Sequence, residues 1–220
     1  MELYPDVWID VHTHNATGNA FEVLQLFPGH FGEVENCEVC SLGIHPWYIN
    51  EATTEDLQRL ESLASLRQVY AIGEAGLDKN SKVEMKTQEE VFRIQARIAE
   101  ENGKPLLIHC VGAFNELIRL RKEVHPSNSW IVHGFNNNIH IADQLLRHDI
   151  YLSFGRHLLN PAANPARILS QMSEEAFLLE TDDSDTGIEE IYLAAGKILG
   201  LEPDVVKELV YLNFIRCFRV

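Results

Sequence analysis

Eight apolar, β-branched runs alternate with patterns of helical period along 220 residues, and five of the runs end in a histidine or carboxylate. Strand–helix alternation argues for βαβ units and a parallel sheet. Repeated delivery of the same chemistry to strand ends argues for the C-terminal rim of a parallel barrel, where such enzymes react. The predicted class is therefore α/β, a (β/α)8 TIM-like barrel. Its second βα unit should be distorted or trimmed. Only about 30 residues separate His14 from His45, and a full crossover needs a dozen or more beyond its strands.

The elements follow in order. Strands are expected near residues 7–11, 22–26, 39–44, 69–72, 106–109, 130–133, 150–154 and 177–180. Residues 15–19 and 28–32 read as loop. Thr54 is placed to cap a helix carrying Leu57, Leu60, Leu63 and Ala64. Residues 85–101 bring Met85, Val91, Phe92, Ile98 and Ala99 to one side. Shorter helical patterns cover 114–123, 139–147 and 187–199. Pro203 suits the first turn of a last helix with Val205, Val206, Leu209, Leu212 and Ile215. Repeats, low-complexity segments and linkers are absent, so residues 1–220 read as a single domain.

Composition narrows the function. The formal net charge is −15, whereas a protein that grips nucleic acid tightly usually presents a basic face. Any positive site must be local, and bound metal ions would supply part of it. No apolar run is long enough to span a membrane, and the N-terminus lacks the pattern of a signal peptide, so a cytoplasmic location is expected. Cys37, Cys40, Cys110 and Cys217 do not suggest a disulfide framework. Cys37 and Cys40 have the spacing of half a zinc ribbon but lack the other half, so packing is their expected role.

The five chemistry-bearing segments are Asp10-Val11-His12-Thr13-His14, Gly73-Glu74-Ala75-Gly76-Leu77-Asp78, Pro105-Leu106-Leu107-Ile108-His109, Trp130-Ile131-Val132-His133 and Leu178-Leu179-Glu180-Thr181-Asp182. His12 and His14 are two apart, so on a strand both imidazoles point one way and can share a metal. Imidazole–carboxylate mixtures suit zinc, manganese or iron, and oxygen-rich sites suit magnesium. His12, His14, Glu74, His109, His133 and Asp182 are too many for one tetrahedral site and enough for two open ones sharing a carboxylate. Two divalent metal ions (Mg, Mn or Zn) are thus expected as cofactors. A pair of such ions can clamp the attacking and leaving oxygens of an in-line displacement. His30, His125, His140, His148 and His157 lack strand-end placement and receive no such role.

With Gly43-Ile44-His45-Pro46-Trp47, His133-Gly134-Phe135 and the terminal Asn213-Phe214-Ile215-Arg216-Cys217-Phe218 added, the chain resembles the TatD family of metal-dependent hydrolases over residues 9–218. The resemblance implies that His12, His14 and Asp182 hold a first metal, that His109 and His133 hold a second, and that Glu74 bridges them. It implies metal-dependent DNase activity, often 3′→5′ exonucleolytic, in a family that also includes members with other hydrolytic substrates. Asp182 would be ligand and general base together, taking the proton of the attacking water, which makes Asp182 and Glu74 the catalytic pair. His45 would line the same rim, either touching substrate or holding the Trp47 loop.

Three departures bear on substrate. Family nucleases usually carry Arg two residues after the second-metal histidine, where this chain has Val111. The block after His133 reads Gly134-Phe135-Asn136-Asn137. Asp182 is followed by Asp183-Ser184, an added acid. Lys79 and Arg156 are the replacement candidates for phosphate binding. The first expectation is a two-metal phosphodiesterase with DNA as a weakly bound substrate, cut at its ends, and with no membrane or obligate protein partner. The alternatives are a hydrolase of a small ester or amide, and a non-catalytic metal-binding protein.

Overall fold

Each stretch expected as a strand forms one in the computed structural model, which describes residues 4–220. The strands are β1 (Ile9–Thr13), β2 (Phe21–Leu26), β3 (Cys40–Leu42), β4 (Val69–Asp78), β5 (Leu106–Val111), β6 (Trp130–Val132), β7 (Ile150–Phe154) and β8 (Phe177–Leu179). They are parallel, and their order in the sheet is their order in the chain, the arrangement of a (β/α)8 barrel. The helices are α1 (Thr54–Leu63), α2 (Met85–Glu101), α3 (Phe114–Val124), α4 (Ile139–Leu146), α5 (Asn164–Leu169), α6 (Ile188–Leu199) and α7 (Pro203–Phe218). No helix among the described residues is long and apolar enough to cross a membrane.

The second βα unit is trimmed, as its length requires. A nine-residue 3-10 helix, Pro28–Asn36, stands between β2 and β3 in place of an α-helix. Pro28 starts it, so a segment that reads as loop is tighter than loop. A second 3-10 turn, Arg156–Leu159, and the short α5 follow β7.

Three sequence expectations shift. The cap of α1 is Thr53, not Thr54. Its hydroxyl accepts from Asp56 N–H while the Asp56 carboxylate accepts from Thr53 N–H, a reciprocal capping box. The buried stripe of α7 is Val206, Val210, Asn213, Phe214 and Cys217. Val205 and Leu212 face solvent instead. Most consequentially, β4 does not end at Ile72. It runs through Gly73 and Gly76 to Asp78, with a register irregularity against β5 between Ile72 and Ala75. The two glycines are needed there. A Cβ on Gly73 would strike Leu107, and one on Gly76 would strike the His109 backbone. Their absence of side chain lets β4 lie close against β5 on both sides of Glu74.

By packing, the chain falls into two compact units: residues up to 23 with 133–220, and residues 24–132. In the second unit α2 packs on β4. Its buried stripe is Gln88, Phe92, Gln95, Ala96 and Ala99, the i, i+4, i+7, i+8, i+11 positions of one helical face. Two members are amides. Gln95 accepts from Ile44 N–H at 2.7 Å and donates to Ile44 C=O at 3.0 Å. Gln88 accepts from Asp78 N–H at 2.7 Å and donates to Asp78 C=O at 3.0 Å and to Val83 C=O at 2.7 Å. Each amide acts as a surrogate neighbouring strand where β3 and β4 run out. In the first unit, Asn213 of α7 donates to Glu174 C=O and Phe177 C=O, fixing the start of β8. The Tyr192 hydroxyl of α6 bonds both backbone groups of Ile9 in β1.

Gln95→Leu keeps the volume and orphans both Ile44 backbone groups, at about 1–3 kcal/mol each. For a chain of this size each kcal/mol moves Tm by roughly 2–4 °C. Thermal unfolding should therefore shift down by at least about 4 °C. A Tm indistinguishable from the parent would show that the clamp carries no stability.

Candidate functional site

The chemistry-bearing side chains fall into one group in each unit. In the first unit, β1 places His12 within the strand and His14 just beyond it. Backbone bonds from His14 N–H to Asp182 C=O (3.0 Å) and from Asp182 N–H to His12 C=O (2.9 Å) tie β1 to the segment after β8. Both imidazole Nε2 atoms then reach the same atom, Asp182 Oδ1, each at 3.4 Å. This is the shared side that a two-residue spacing on a strand dictates. The ligand atoms of His12, His14 and Asp182 all lie within 4.8 Å of one another. The His133 ring packs against His12 with centroids 4.4 Å apart.

Electrostatics favour a charged Asp182. Burial alone would raise its carboxyl. Hydrogen bonds with His12 and His14, and the charges of His133 and His12, outweigh burial and hold it well below the ordinary carboxylate range. Asp182 also adopts a left-handed backbone, φ 57°, a conformation that Asp tolerates better than most residues.

Two further acids, to which the sequence reading gave no role, shape this group. Asp10 is buried and accepts from Thr181 N–H (3.1 Å), the Thr181 hydroxyl (2.5 Å) and His12 N–H (3.2 Å). It thereby fastens β1 to the residue before Asp182. Burial pushes its carboxyl up to about 7 against the pull of those hydrogen bonds. Glu180, fully buried, accepts from Gly134 N–H and so holds the turn that follows His133.

In the second unit, His45, Glu74 and His109 offer ligand atoms within 4.8 Å of one another. Hydrogen bonding separates the two histidines. His109 Nε2 lies 3.1 Å from Asp78 Oδ2. Burial opposes ionisation of Asp78, but hydrogen bonds from Asn80 N–H, His109 and Trp47 lower its carboxyl, so it accepts only. A His109 ring that donates from Nε2 to Asp78 turns Nδ1 toward Glu74, 3.9 Å from its Oε2. His45 is the reverse. Its Nδ1 accepts from Trp47 N–H at 3.1 Å, so its proton sits on Nε2, 3.4 Å from Glu74 Oε2. The two rings thus meet Glu74 through different nitrogens, His109 through Nδ1 and His45 through Nε2. Asp78 also accepts from the Trp47 indole N–H at 2.6 Å. Carboxylates that fix a ligand histidine in this way usually tune metal affinity. The sequence signal for Asp78 was present, since it closes the Glu74 block.

The candidate phosphate cations are already engaged. Lys79 pairs with Glu116 at 2.8 Å, and Arg156 with Asp183 at 3.4 Å. Both pairs have exposed members, and such pairs open at little cost.

The chain matches the family described as TatD related DNase over residues 31–219, and it belongs to that family. Relatives include the uncharacterized metal-dependent hydrolase YabD of Bacillus subtilis (strain 168), 32% identical over 145 residues, covering 64% of this chain and 57% of the relative. Another is a 3′-5′ ssDNA/RNA exonuclease TatD of Enterobacter lignolyticus (strain SCF1), 32% identical over 112 residues, covering 50% and 43%. The matched segments thus span about half the length of these curated relatives. The crystal structure of YjjV, a TatD homologue from Escherichia coli K12, superposes with a TM-score of 0.86 at 18% identity, covering 99% of this chain and 100% of that one. It establishes the fold.

Asp78→Asn removes the charge that fixes His109 and should lower apparent divalent-metal affinity by about 10–100-fold. Chelator competition measures this. Unchanged affinity in a folded variant would show that Asp78 does not orient a ligand.

Proposed function

We propose that this protein is a metal-dependent hydrolase that cleaves phosphodiester bonds at the ends of single-stranded DNA. The observation that carries the reading is the donor set. Each unit groups a carboxylate with imidazoles inside ligand distance, and hydrogen bonding has prepared them. Hydrogen bonds hold the Asp182 carboxyl well below the ordinary range, and Asp78 orients the His109 ring with Nδ1 toward Glu74. This is donor chemistry that fits divalent ions. In this reading both units act as one catalytic domain. His12, His14 and Asp182 would hold one ion, His109 and His133 would hold a second, and Glu74 would serve both.

Divalent ions bound there would lower the pKa of an attacking water and neutralise charge on the phosphoryl oxygens. The protein's own residues do the rest. Asp182 takes the proton of the attacking water. His45 keeps Nε2–H directed at Glu74 and limits the rotation of that carboxylate. Lys79 and Arg156 can leave Glu116 and Asp183 to meet phosphates. The name of the Enterobacter relative supports nucleic acid as substrate. The acidic surface and Val111 support a small footprint, which suits chain ends more than internal cutting.

Asp182→Asn preserves shape and removes basicity. Turnover should drop by about 10²–10⁴-fold, the range for loss of a general base. Metal content, followed by elemental analysis, should persist through His12 and His14. A metal-loaded variant with near-normal turnover would exclude Asp182 as the base.

Substrate is tested by assaying linear and circular single strands, duplex DNA and small esters with Mg, Mn or Zn. Linear strands should be cut, with a log–log salt slope of only about 1–2, because each neutralised phosphate contributes about 0.7. Rapid cutting of circles would eliminate end preference. Efficient ester hydrolysis with intact DNA would make the small-ester reading the correct one.

A further inference from the structure

The segment after β3 carries two exposed rings, Trp47 and Tyr48, that the hydrolytic chemistry leaves unused. His45 is their hub. Its ring centroid lies 4.3 Å from His109, 5.1 Å from Trp47, 5.7 Å from Tyr48 and 6.5 Å from Phe27. Phe27 and Tyr48 lie 6.0 Å apart. Trp47 is 53% exposed and Tyr48 43% exposed. Large rings left open to solvent usually scatter singly, but these two adjoin His45 and their backbone is pinned by hydrogen bonds. Tyr48 N–H bonds His45 C=O, and Glu51 and Ala52 N–H both bond Tyr48 C=O, each at 3.0 Å. The Trp47 indole is tied to Asp78. Beside them lies a cavity of about 460 Å³ walled by Phe27, Pro28, His30, Tyr48, Glu51 and Asp56. That volume lies within the range of small-ligand sites.

We propose that Tyr48 and Trp47 form a stacking shelf for nucleobases, with one base entering the cavity against Phe27 and Tyr48. The proposal rests on the nuclease reading above and names what that site recognises. Charge selects the occupant. Glu51 and Asp56 repel a phosphate, whereas they can accept the ring and amino N–H groups at the edge of a base. Stacking is sequence-tolerant and needs no cations. It therefore supplies a grip that a chain of net charge −15 lacks in its electrostatics. Rigid rings also lose little entropy on binding.

The test measures binding to the metal-loaded protein by titration calorimetry. The probes are deoxyguanosine 5′-phosphate, its base-free counterpart deoxyribose 5-phosphate, and a short linear single strand. The nucleotide should bind at least tenfold more tightly than the base-free phosphate. Tyr48→Ala should weaken nucleotide binding by about 5–100-fold, the span for loss of one stacked base, and leave the base-free phosphate unaffected. Trp47→Phe keeps a ring and loses the bond to Asp78, so strand binding should survive in it and fall in Trp47→Ala. Equal affinity for nucleotide and base-free phosphate, or a Tyr48→Ala variant that binds nucleotide normally while strands are still cut, overturns the shelf alone. A parent protein that neither binds nucleotide nor cuts any strand overturns the nuclease reading as well.

Discussion

Two buried amides on one helix hold the second unit's chemistry in place. A parallel strand that outruns its neighbour leaves backbone donors and acceptors without ladder partners, and burying them unpaired is costly. The side chains of Gln88 and Gln95 each supply one acceptor and one donor in peptide geometry, at Asp78 and Ile44. From Ile44 the chain passes directly to His45 and Trp47, and Asp78 in turn fixes the rings of His109 and Trp47. The placement of two imidazoles thus traces back, through hydrogen bonds and a short run of chain, to the seating of α2 on β4. Apolar residues at those two positions would fill the space and leave the rim without a reference.

The first unit solves the same problem with a carboxylate. Asp10 gathers three donors from His12 and Thr181, while Tyr192 satisfies Ile9 one residue earlier. Packing strength and site geometry are therefore not separable here. The groups that satisfy buried backbone also aim the functional side chains. A site held by such bonds is pre-organised, and little reorganisation remains for the moment of reaction.

The alternation of apolar runs made the eight strands and most helices readable, because burial of a parallel sheet writes itself as continuous β-branched stretches. The trimmed second unit was readable from length alone. The extent of β4 was hidden, since Gly73 and Gly76 look like breakers in sequence and serve close strand approach in three dimensions. The buried stripe of α2 was hidden because Gln88 and Gln95 count as polar in any apolar pattern. A shared side for His12 and His14 was foreseen from their spacing, and the addition of Asp182 only from the family resemblance. The orienting roles of Asp10, Asp78 and Glu180 were not, since a hydrogen bond between a carboxylate and a distant ring or peptide leaves no periodic trace. Lys79 and Arg156 were expected on the rim from their order after strands, whereas their pairing with Glu116 and Asp183 depends on neighbours that sequence does not bring near.

The left-handed backbone at Asp182 restricts what can be written at that position. Among L residues, Asn and Asp enter this conformation most readily, and longer or branched side chains rarely do. Glu, which would retain the charge, is doubly disfavoured: its carboxylate sits one methylene farther out, and its backbone prefers other conformations. The position is close to a two-letter alphabet, one letter basic and the other nearly the same shape but not basic. With Asp182 as the base of the proposed reaction, a lineage abandoning hydrolysis could step from Asp to Asn here with little structural penalty, and the residue would mark whether a relative still turns over its substrate.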